Sequence, residues 1–351
     1  MAILSMSRHD SRWWREELSP VDAGGHGQRG AVPAPGRTVA LVAAPLEAER
    51  STPERNPMDL LSRLDDLYQR HLTHSEQIHW DYHDLLPWEL GRDFNADRWA
   101  AHEGTLSAEV TVAVETALLT EVNLPWFTAG LTRGFADAPP VLKRFIRRWT
   151  AEEDQHSRTL EVFLLLTRNG DPARRNRLRR DVLELGWDLP VDDLLGIMVY
   201  TTIQELATRA FYQNLARVSQ AQDRNLSRVL HALARDETLH FAFYRDAVAA
   251  FLDRDPNALE AVCRVIPTFV MPGAGMPGFA SRMQVVSRYG GYGPAEYLRQ
   301  VIHPLLAYWG VFEHQVNSAV ERDRLDLRHH VARLERVAER SRLRSGHSVQ
   351  D

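Results

Sequence analysis

From Met58 onward, apolar residues recur almost without interruption at the 3.6-residue spacing of amphipathic helices. No run of alternating apolar and polar residues lies between turn signals, so the sequence offers no convincing strand. Proline and glycine clusters divide the stretch into segments. Four of these are long enough to cross a domain at about 1.5 Å per residue: 107–133, 139–169, 191–219 and 224–252. The sequence therefore predicts an all-α fold, with a four-helix-bundle core and additional flanking helices.

The chain divides into an N-terminal leader and one helical domain. Residues 1–57 are rich in Gly, Pro, Arg and Ser without a helical period, and we expect a disordered leader. Either a flexible tail or a translation wrongly begun at an upstream start codon would explain this composition. Residues 58–351 are expected to form one domain, with a metal-binding core at about 107–252. Met271–Gly278 is predicted to be a loop over one end of the bundle, and the charged amphipathic segment 316–343 to pack outside.

Composition limits the classes of protein to which the chain can belong. Hydrophobic residues make up 44% of it, enough for a substantial core. With 47 acidic and 42 basic residues, a net charge of −5 and no long basic run, nucleic acid is not an expected partner. The single cysteine, Cys263, excludes an internal disulfide and a cysteine-rich metal site, and favours a cytoplasmic location. No apolar run reaches the roughly 18–20 residues of a transmembrane helix, so we expect none.

Two of the long segments carry the same motif, a glutamate three residues before a histidine. The pairs are Glu153/His156 and Glu237/His240. On a helix, residues three apart lie about 5–6 Å from each other on one face, so each pair can offer a carboxylate oxygen and an imidazole nitrogen to one ion. One such pair is common among the surface charges of a helix rich in arginine and glutamate. Two pairs on separate long helices indicate two bound ions.

The other two long segments each place a glutamate where the apolar stripe predicts core, at Glu121 and Glu205. The order Glu, ExxH, Glu, ExxH is the ligand set of carboxylate-bridged di-iron and di-manganese bundles. An isolated buried carboxylate costs on the order of tens of kcal/mol, and two divalent cations would balance four of them. Oxygen-rich ligands without thiolate favour iron, with manganese possible. The predicted metal ligands are Glu121, Glu153, His156, Glu205, Glu237 and His240.

The residues around these ligands resemble the soluble acyl-acyl-carrier-protein (ACP) desaturases, the stearoyl-ACP desaturase family of ferritin-like di-iron proteins. The resemblance covers about residues 75–312. The stretches that carry it are Thr120–Pro125, Arg148–His156, Tyr200–Thr208, Asn214–Arg217, Asp236–His240 and Tyr289–Tyr297. It implies a ferritin-like bundle in which the six predicted ligands hold two iron ions, with Glu153 and Glu237 bridging both.

The resemblance also implies roles for residues that are not ligands. Thr208 matches a threonine beside the oxygen-binding face that is linked to proton delivery, and Asp236 matches a residue hydrogen-bonded to His156. A tryptophan near the electron path has two candidates, Trp80 and Trp88. Glu152 and Asp154 are expected to face solvent or to lie just outside the ligands.

The activity that the resemblance implies is oxygen-dependent desaturation of a fatty acyl chain on ACP, giving a cis double bond with electrons from a ferredoxin, in a homodimer. The chain departs from the family between Glu and His of both motifs, where basic residues are usual. It has Asp154-Gln155 and Thr238-Leu239 there, on sides expected to face away from the ions. Two alternatives therefore stay open: another di-iron oxygenase, acting as a hydroxylase or N-oxygenase, and a ferritin-like iron-binding protein without turnover. A long apolar tunnel would favour acyl chains.

Overall fold

The computed structural model describes residues 59–347. Throughout this part of the chain the regular structure is helical, with no strand, which confirms the predicted all-α class. The predicted leader at 1–57 lies outside the described residues. None of the described helices is long and apolar enough to cross a lipid bilayer.

The predicted long segments form the centre of the molecule. The first becomes two helices, and the other three are single helices. Their bounds are α3 (Ala108–Glu121), α4 (Leu124–Gly134), α5 (Pro140–Leu166), α7 (Leu194–Ser219) and α8 (Arg224–Arg254). α7 and α8 pack along much of their length, while α5 contacts α3, α4 and α8. This arrangement surrounds a shared interior with four helical walls.

The prediction of one continuous helix over 107–133 is wrong, because the chain bends immediately after Glu121. Pro125 has no backbone N–H, and its ring would clash with the carbonyl of the residue four positions earlier, which is Glu121. Helix α3 therefore ends at Glu121, and α4 begins at Leu124 with Pro125 in its first turn. The break places Glu121 at a helix end, beside the interior of the bundle.

Polar caps fix the starts of three central helices. Ser107 Oγ accepts from the backbone N–H of Val110 at the start of α3. Asp193 caps α7 and Asp223 caps α8 through their carboxylates. Each cap satisfies N–H groups that lack a partner within the helix. Because the start of each of these helices is fixed, its inward-facing residues lie at defined positions along the bundle.

The remaining helices flank this core. They are α1 (Leu60–Gln77), α2 (Tyr82–Leu85), α6 (Pro172–Leu185), α9 (Leu259–Thr268), α10 (Phe279–Tyr289), α11 (Pro294–Tyr297), α12 (His303–Tyr308) and α13 (Ser318–His347), with a π turn at Leu298–Ile302. α1 packs on α5 and α8, and α10 packs on α3. α13 lies against α9 and α11 through one apolar face, as predicted for the charged C-terminal segment. The predicted loop Met271–Gly278 contains a single short 3₁₀ turn at Pro272–Gly275.

Candidate metal centre

The six predicted ligands converge inside the bundle from four helices. Their candidate ligand atoms form two groups, within each of which all atoms lie within 4.8 Å of one another. The first group is Glu121, Glu153 and His156, and the second is Glu153, Glu205, Glu237 and His240. Glu153 belongs to both. Five of the six side chains are buried, and Glu121 is half-buried.

Both histidines present the same ring nitrogen to the carboxylates. Nδ1 of His156 lies 3.0 Å from Glu153 Oε2 and 3.4 Å from Glu237 Oε1. Nδ1 of His240 lies 2.8 Å from Glu153 Oε1 and 3.5 Å from Glu205 Oε2. Glu237 therefore approaches the histidine of the first group although its carboxylate belongs to the second. Two carboxylates, from Glu153 and Glu237, lie between the two halves of the cluster.

The outward nitrogen of each histidine meets an acidic side chain from the other motif. Nε2 of His156 lies 3.2 Å from Asp236 Oδ2, the contact expected for Asp236. Nε2 of His240 lies 3.0 Å from Glu152 Oε2. Such contacts orient an imidazole and make it a better ligand. The sequence carries a signal for both, because an acid directly precedes the glutamate of each motif, but it gave Glu152 no definite partner.

Glu152 is itself held by side chains from α1 and α5. Glu152 accepts hydrogen bonds from Ser75 and Arg148, and its Oε2 lies 3.0 Å from His71 Nε2. His71 and Ser75 are both on α1, and the sequence did not single out either of them. These contacts fix the Glu152 carboxylate in the position that meets His240.

Trp80, not Trp88, lies beside the cluster of predicted ligands. Its indole Nε1 donates to both oxygens of Asp236, at 3.0 and 3.1 Å, and its ring stacks on that of His156 with centroids 6.4 Å apart. Trp88 is 47% exposed and donates instead to the backbone carbonyl of His83. Of the two tryptophan candidates, Trp80 alone touches a residue that contacts a predicted ligand.

Four buried atoms at the centre lie close to other predicted ligand atoms but form no hydrogen bond of acceptable geometry: Glu153 Oε1, Glu205 Oε2, His156 Nδ1 and His240 Nδ1. Buried polar atoms are rarely left unpaired, because removing them from water without a partner is costly. All four are donor atoms of a kind that binds iron or manganese, and they lie together. The residues present thus fit a pair of metal ions.

The electrostatics of the cluster support the same interpretation. Burial, reinforced by the carboxylate of Glu153, raises the pKa of Glu121 to about 7. Burial and repulsion by neighbouring carboxylates likewise raise the pKa of Glu237 well above its usual range. Burial alone would lower the pKa of His156 and His240, but the surrounding carboxylates outweigh it and hold both pKa values well above the usual range. Without metal, protons would compensate the clustered negative charge.

A cavity of about 380 Å³ reaches the centre from one side. Its walls are mainly apolar and include Phe211 on α7, Phe269 immediately after α9, and three methionines on α10 and in the Met271–Gly278 segment. Glu121 and Thr208 lie on its surface. The hydroxyl of Thr208 donates to the backbone carbonyl of Gln204 at 3.0 Å. An apolar molecule in this cavity would contact Thr208 and Glu121, one of the predicted metal ligands.

A smaller pocket, of about 20 Å³, lies directly beside the cluster. Glu121, Glu153, Glu237 and Thr208 are among the residues that line it. That volume is close to the space that one water-sized molecule needs. The threonine predicted to lie near the oxygen-binding face therefore borders both the apolar cavity and a small space at the ligands.

Two of the four residues that depart from the family pattern, Asp154 and Thr238, have contacts away from the ligands. Asp154 is exposed and pairs with Arg158 at 2.6 Å. The hydroxyl of Thr238 accepts from Arg209 Nε at 2.9 Å on the outer side of α8. The substitutions therefore change the surface around the centre and leave the cluster intact.

Similarity to known proteins agrees with this architecture. Two proteins similar to this chain are named as acyl-[acyl-carrier-protein] desaturases. DesA1 of Mycobacterium tuberculosis is 29% identical over 272 residues, which cover 74% of this chain and 80% of DesA1. The chloroplastic desaturase 6 of Oryza sativa subsp. japonica is 28% identical over 294 residues, which cover 76% of this chain and 70% of the rice protein. The X-ray structure of DesA2 from M. tuberculosis superposes with a TM-score of 0.59 at 23% identity, covering 75% of this chain and 98% of DesA2.

An all-helical bundle with paired carboxylate and histidine motifs facing one interior defines the ferritin-like class, and the DesA2 likeness supports that fold. Within this class, the model of the fatty acid desaturase family matches residues 56–351. The protein belongs to the fatty acid desaturase family.

Proposed function

We propose that this protein desaturates a fatty acyl chain carried on acyl carrier protein, using dioxygen and electrons from a ferredoxin to form a cis double bond. The reaction removes one hydrogen from each of two adjacent methylenes; with two electrons and two protons, dioxygen becomes two waters. The observation that carries the proposal is the apolar cavity of about 380 Å³ ending at Glu121 and Thr208. Similarity to proteins named acyl-ACP desaturases supports the choice of substrate.

Two iron ions would be held by the six predicted ligands, and when bound they would supply the oxidising chemistry for breaking unactivated C–H bonds. Glu153 and Glu237 are proposed to bridge the ions, because each carboxylate approaches both halves of the cluster. Asp236 and Glu152 would hold His156 and His240 in orientation. Manganese would suit the same ligands.

The chain's own residues would position the substrate and control protons. The apolar walls of the cavity bind the acyl chain and exclude water from the centre. Thr208, on the surface shared by the cavity and the small pocket, is proposed to hold and deliver a proton through its hydroxyl. Tyr212, whose hydroxyl donates to Glu121 Oε1, would restrict the orientation of that carboxylate.

The test uses the purified, iron-loaded protein with a reduced ferredoxin system and acyl-ACPs of several chain lengths. Mass spectrometry of the released acyl chains should show products two hydrogens lighter, with a cis double bond. Oxygen consumption that yields only hydroxylated or N-oxidised product would contradict desaturation and support the alternative oxygenase. Tight iron binding without any substrate-dependent oxygen consumption would favour a ferritin-like protein without turnover.

The oligomeric state of the protein and its cellular compartment are part of the same proposal. We propose a homodimer in the cytoplasm, with acyl carrier protein and a ferredoxin as transient partners. Elution at the mass of a monomer with full activity would contradict the dimer.

A further inference from the structure

Glu115 is a buried carboxylate that belongs to no part of the predicted metal centre. It lies on α3, six residues before Glu121, and is 1% exposed. Nη1 of Arg174, on α6, lies 3.1 Å from its Oε2, and Nη1 of Arg282, on α10, lies 3.6 Å from the same oxygen. A Cβ on Gly170 would come within 2.9 Å of its Oε1, so only glycine leaves room for the carboxylate there. The Glu115 side chain therefore joins α3, α6 and α10 at one buried point.

Arg282 is the only charged residue among the buried side chains of α10. It is 6% exposed, whereas the side chain of Arg174 is half-exposed. Water and salt screen a buried ion pair only weakly, and a buried guanidinium without its partner would be costly. Apolar contacts alone would allow α10 to shift and repack against α3. The Glu115–Arg282 ion pair therefore restricts α10 to one position on α3.

The same two helices form adjoining walls of the acyl cavity. Thr116 and Ala117 of α3 line it, and so do Phe279 and Met283 of α10. At 3.6 residues per turn, Glu115 is rotated by about 100–160° from Thr116 and Ala117, so its side chain points away from the cavity. The ion pair thus lies on the outer side of the contact between α3 and α10, and the cavity lies on the inner side.

The ion pair lies beside the part of the cavity that is remote from the metal centre. Glu115 and Glu121 are six residues apart, which is about 9 Å along α3. The cavity extends past both levels, because Thr116 lines it at one and Glu121 at the other. An acyl chain whose reacting carbons lie at Glu121 would therefore pass the contact between α3 and α10 with a part of the chain several methylenes away.

We propose that Glu115 and Arg282 are positioning residues that determine specificity. By holding α10 against α3, they fix the width of the cavity away from the metals and so select straight acyl chains over methyl-branched ones. This inference rests on the proposed function, which assigns the cavity to the acyl chain. The two residues act through the wall and not by touching the chain. One carbon more in an apolar pocket changes kcat/KM by about 10–200-fold, and only a wall that does not yield enforces such a difference.

The test measures kcat/KM of the iron-loaded full chain for a straight-chain acyl-ACP and for acyl-ACPs that carry one methyl branch at successive positions. The variant is Arg282→Met, which removes the charge, keeps a long side chain and leaves Glu115 paired with Arg174. Arg282→Lys keeps the charge and is the conservative variant. The matched control is Arg174→Met, the same substitution at the other arginine on the same carboxylate. Among the described residues, none of α6 lines the cavity.

Arg282→Met should lower the preference for the straight chain about fivefold or more, and most for branches remote from the new double bond, at unchanged iron content. Arg282→Lys should keep most of the preference, and Arg174→Met should change it less than about twofold. An unchanged preference in Arg282→Met would overturn the proposal. So would an equal loss in Arg174→Met, because the cluster would then only stabilise the fold. Glu115→Gln, which keeps the shape of the side chain, gives the same comparison if Arg282→Met does not fold.

Hydrogen exchange of the backbone amides of α10, measured by mass spectrometry, tests the ion pair without turnover. Exchange should be about tenfold faster or more in Arg282→Met than in Arg174→Met, because only the first variant releases α10. Equal exchange rates in the two variants would overturn the proposal. If the unmodified protein forms no unsaturated product from any acyl-ACP, the proposed function is contradicted instead, and the exchange rates still show whether the ion pair holds α10.

Discussion

The carboxylate of Glu152 lies 3.0 Å from Nε2 of His240, although 88 positions separate the two residues. The contact mirrors the one between Asp236 and His156, so each motif supplies the acid that orients the histidine of the other. Residues in this position commonly change metal affinity by about 10–100-fold when removed. We therefore predict that Glu152→Ala releases iron to a chelator about ten times faster or more. Asp154→Ala, an exposed neighbour on the same helix, is the control and should behave like the unmodified protein.

The shared position of Glu153 makes it the most sensitive of the predicted ligands. Because its carboxylate belongs to both groups of candidate ligand atoms, Glu153→Ala should lose most of both irons. His156→Ala should also lose most of the bound iron, whereas Gln155→Ala should keep it. Iron per chain, measured by elemental analysis after gel filtration, gives the answer. Two irons retained per chain in Glu153→Ala would refute the assignment.

Removing the Thr208 hydroxyl should affect chemistry and not metal binding. Thr208→Val keeps the shape of the side chain, so iron content should stay at the level of the unmodified protein. Loss of proton delivery should lower the rate of formation of unsaturated product by roughly 10²-fold, the lower limit of general acid–base effects. Thr202→Val, on the same helix and with the same bond to a carbonyl four residues earlier, is the control. Equal rates in the two variants would remove Thr208 from the mechanism.

The apolar cavity should limit the length of the acyl chain. Ala274 lies in the Met271–Gly278 segment and lines the cavity, so Ala274→Phe should fill part of the 380 Å³. We expect activity to fall about tenfold or more with the longest acyl-ACP accepted and much less with shorter ones, at unchanged iron content. Ala258→Phe, outside the cavity and in the short turn after α8, controls for the added ring. A uniform loss over all chain lengths would mean that the cavity does not hold the chain.

The metal-free protein should lose stability as pH rises through neutrality. Burial and the carboxylate of Glu153 raise the pKa of Glu121 from its ordinary value of 4.5 to about 7 in the folded protein, and the pKa values of Glu237 and both histidines are also raised. A raised pKa means that the folded state holds the proton more tightly, so this stabilisation is present below the unfolded pKa and disappears above the folded one. The Tm of the metal-free protein should therefore be lower at pH 8 than at pH 6. Glu121→Gln should weaken that dependence, and a Tm that rises over this interval would contradict it.

The sequence was sufficient to predict the all-α class and the six residues that meet inside the bundle, because helical spacing and the Glu/His motifs are local patterns. It failed where a local breaker competes with a periodic pattern: the apolar period continues across Pro125, but the missing N–H ends α3 at Glu121. It also could not find the partners of Glu152, since His71 and Ser75 lie on α1, 81 and 77 positions away. The choice of Trp80 over Trp88 likewise needed the tertiary contact with Asp236.

Glu153 lies in both groups of ligand atoms, which has a consequence for how the protein acquires its metals. The first ion to bind would draw this carboxylate into place and relieve repulsion among its neighbours, so the second would enter a site already arranged for it. Filling would then be cooperative, and at limiting iron the population would consist of empty and doubly loaded chains with few intermediates. A cell short of iron would then contain fewer molecules with both ions bound, and few molecules with only one.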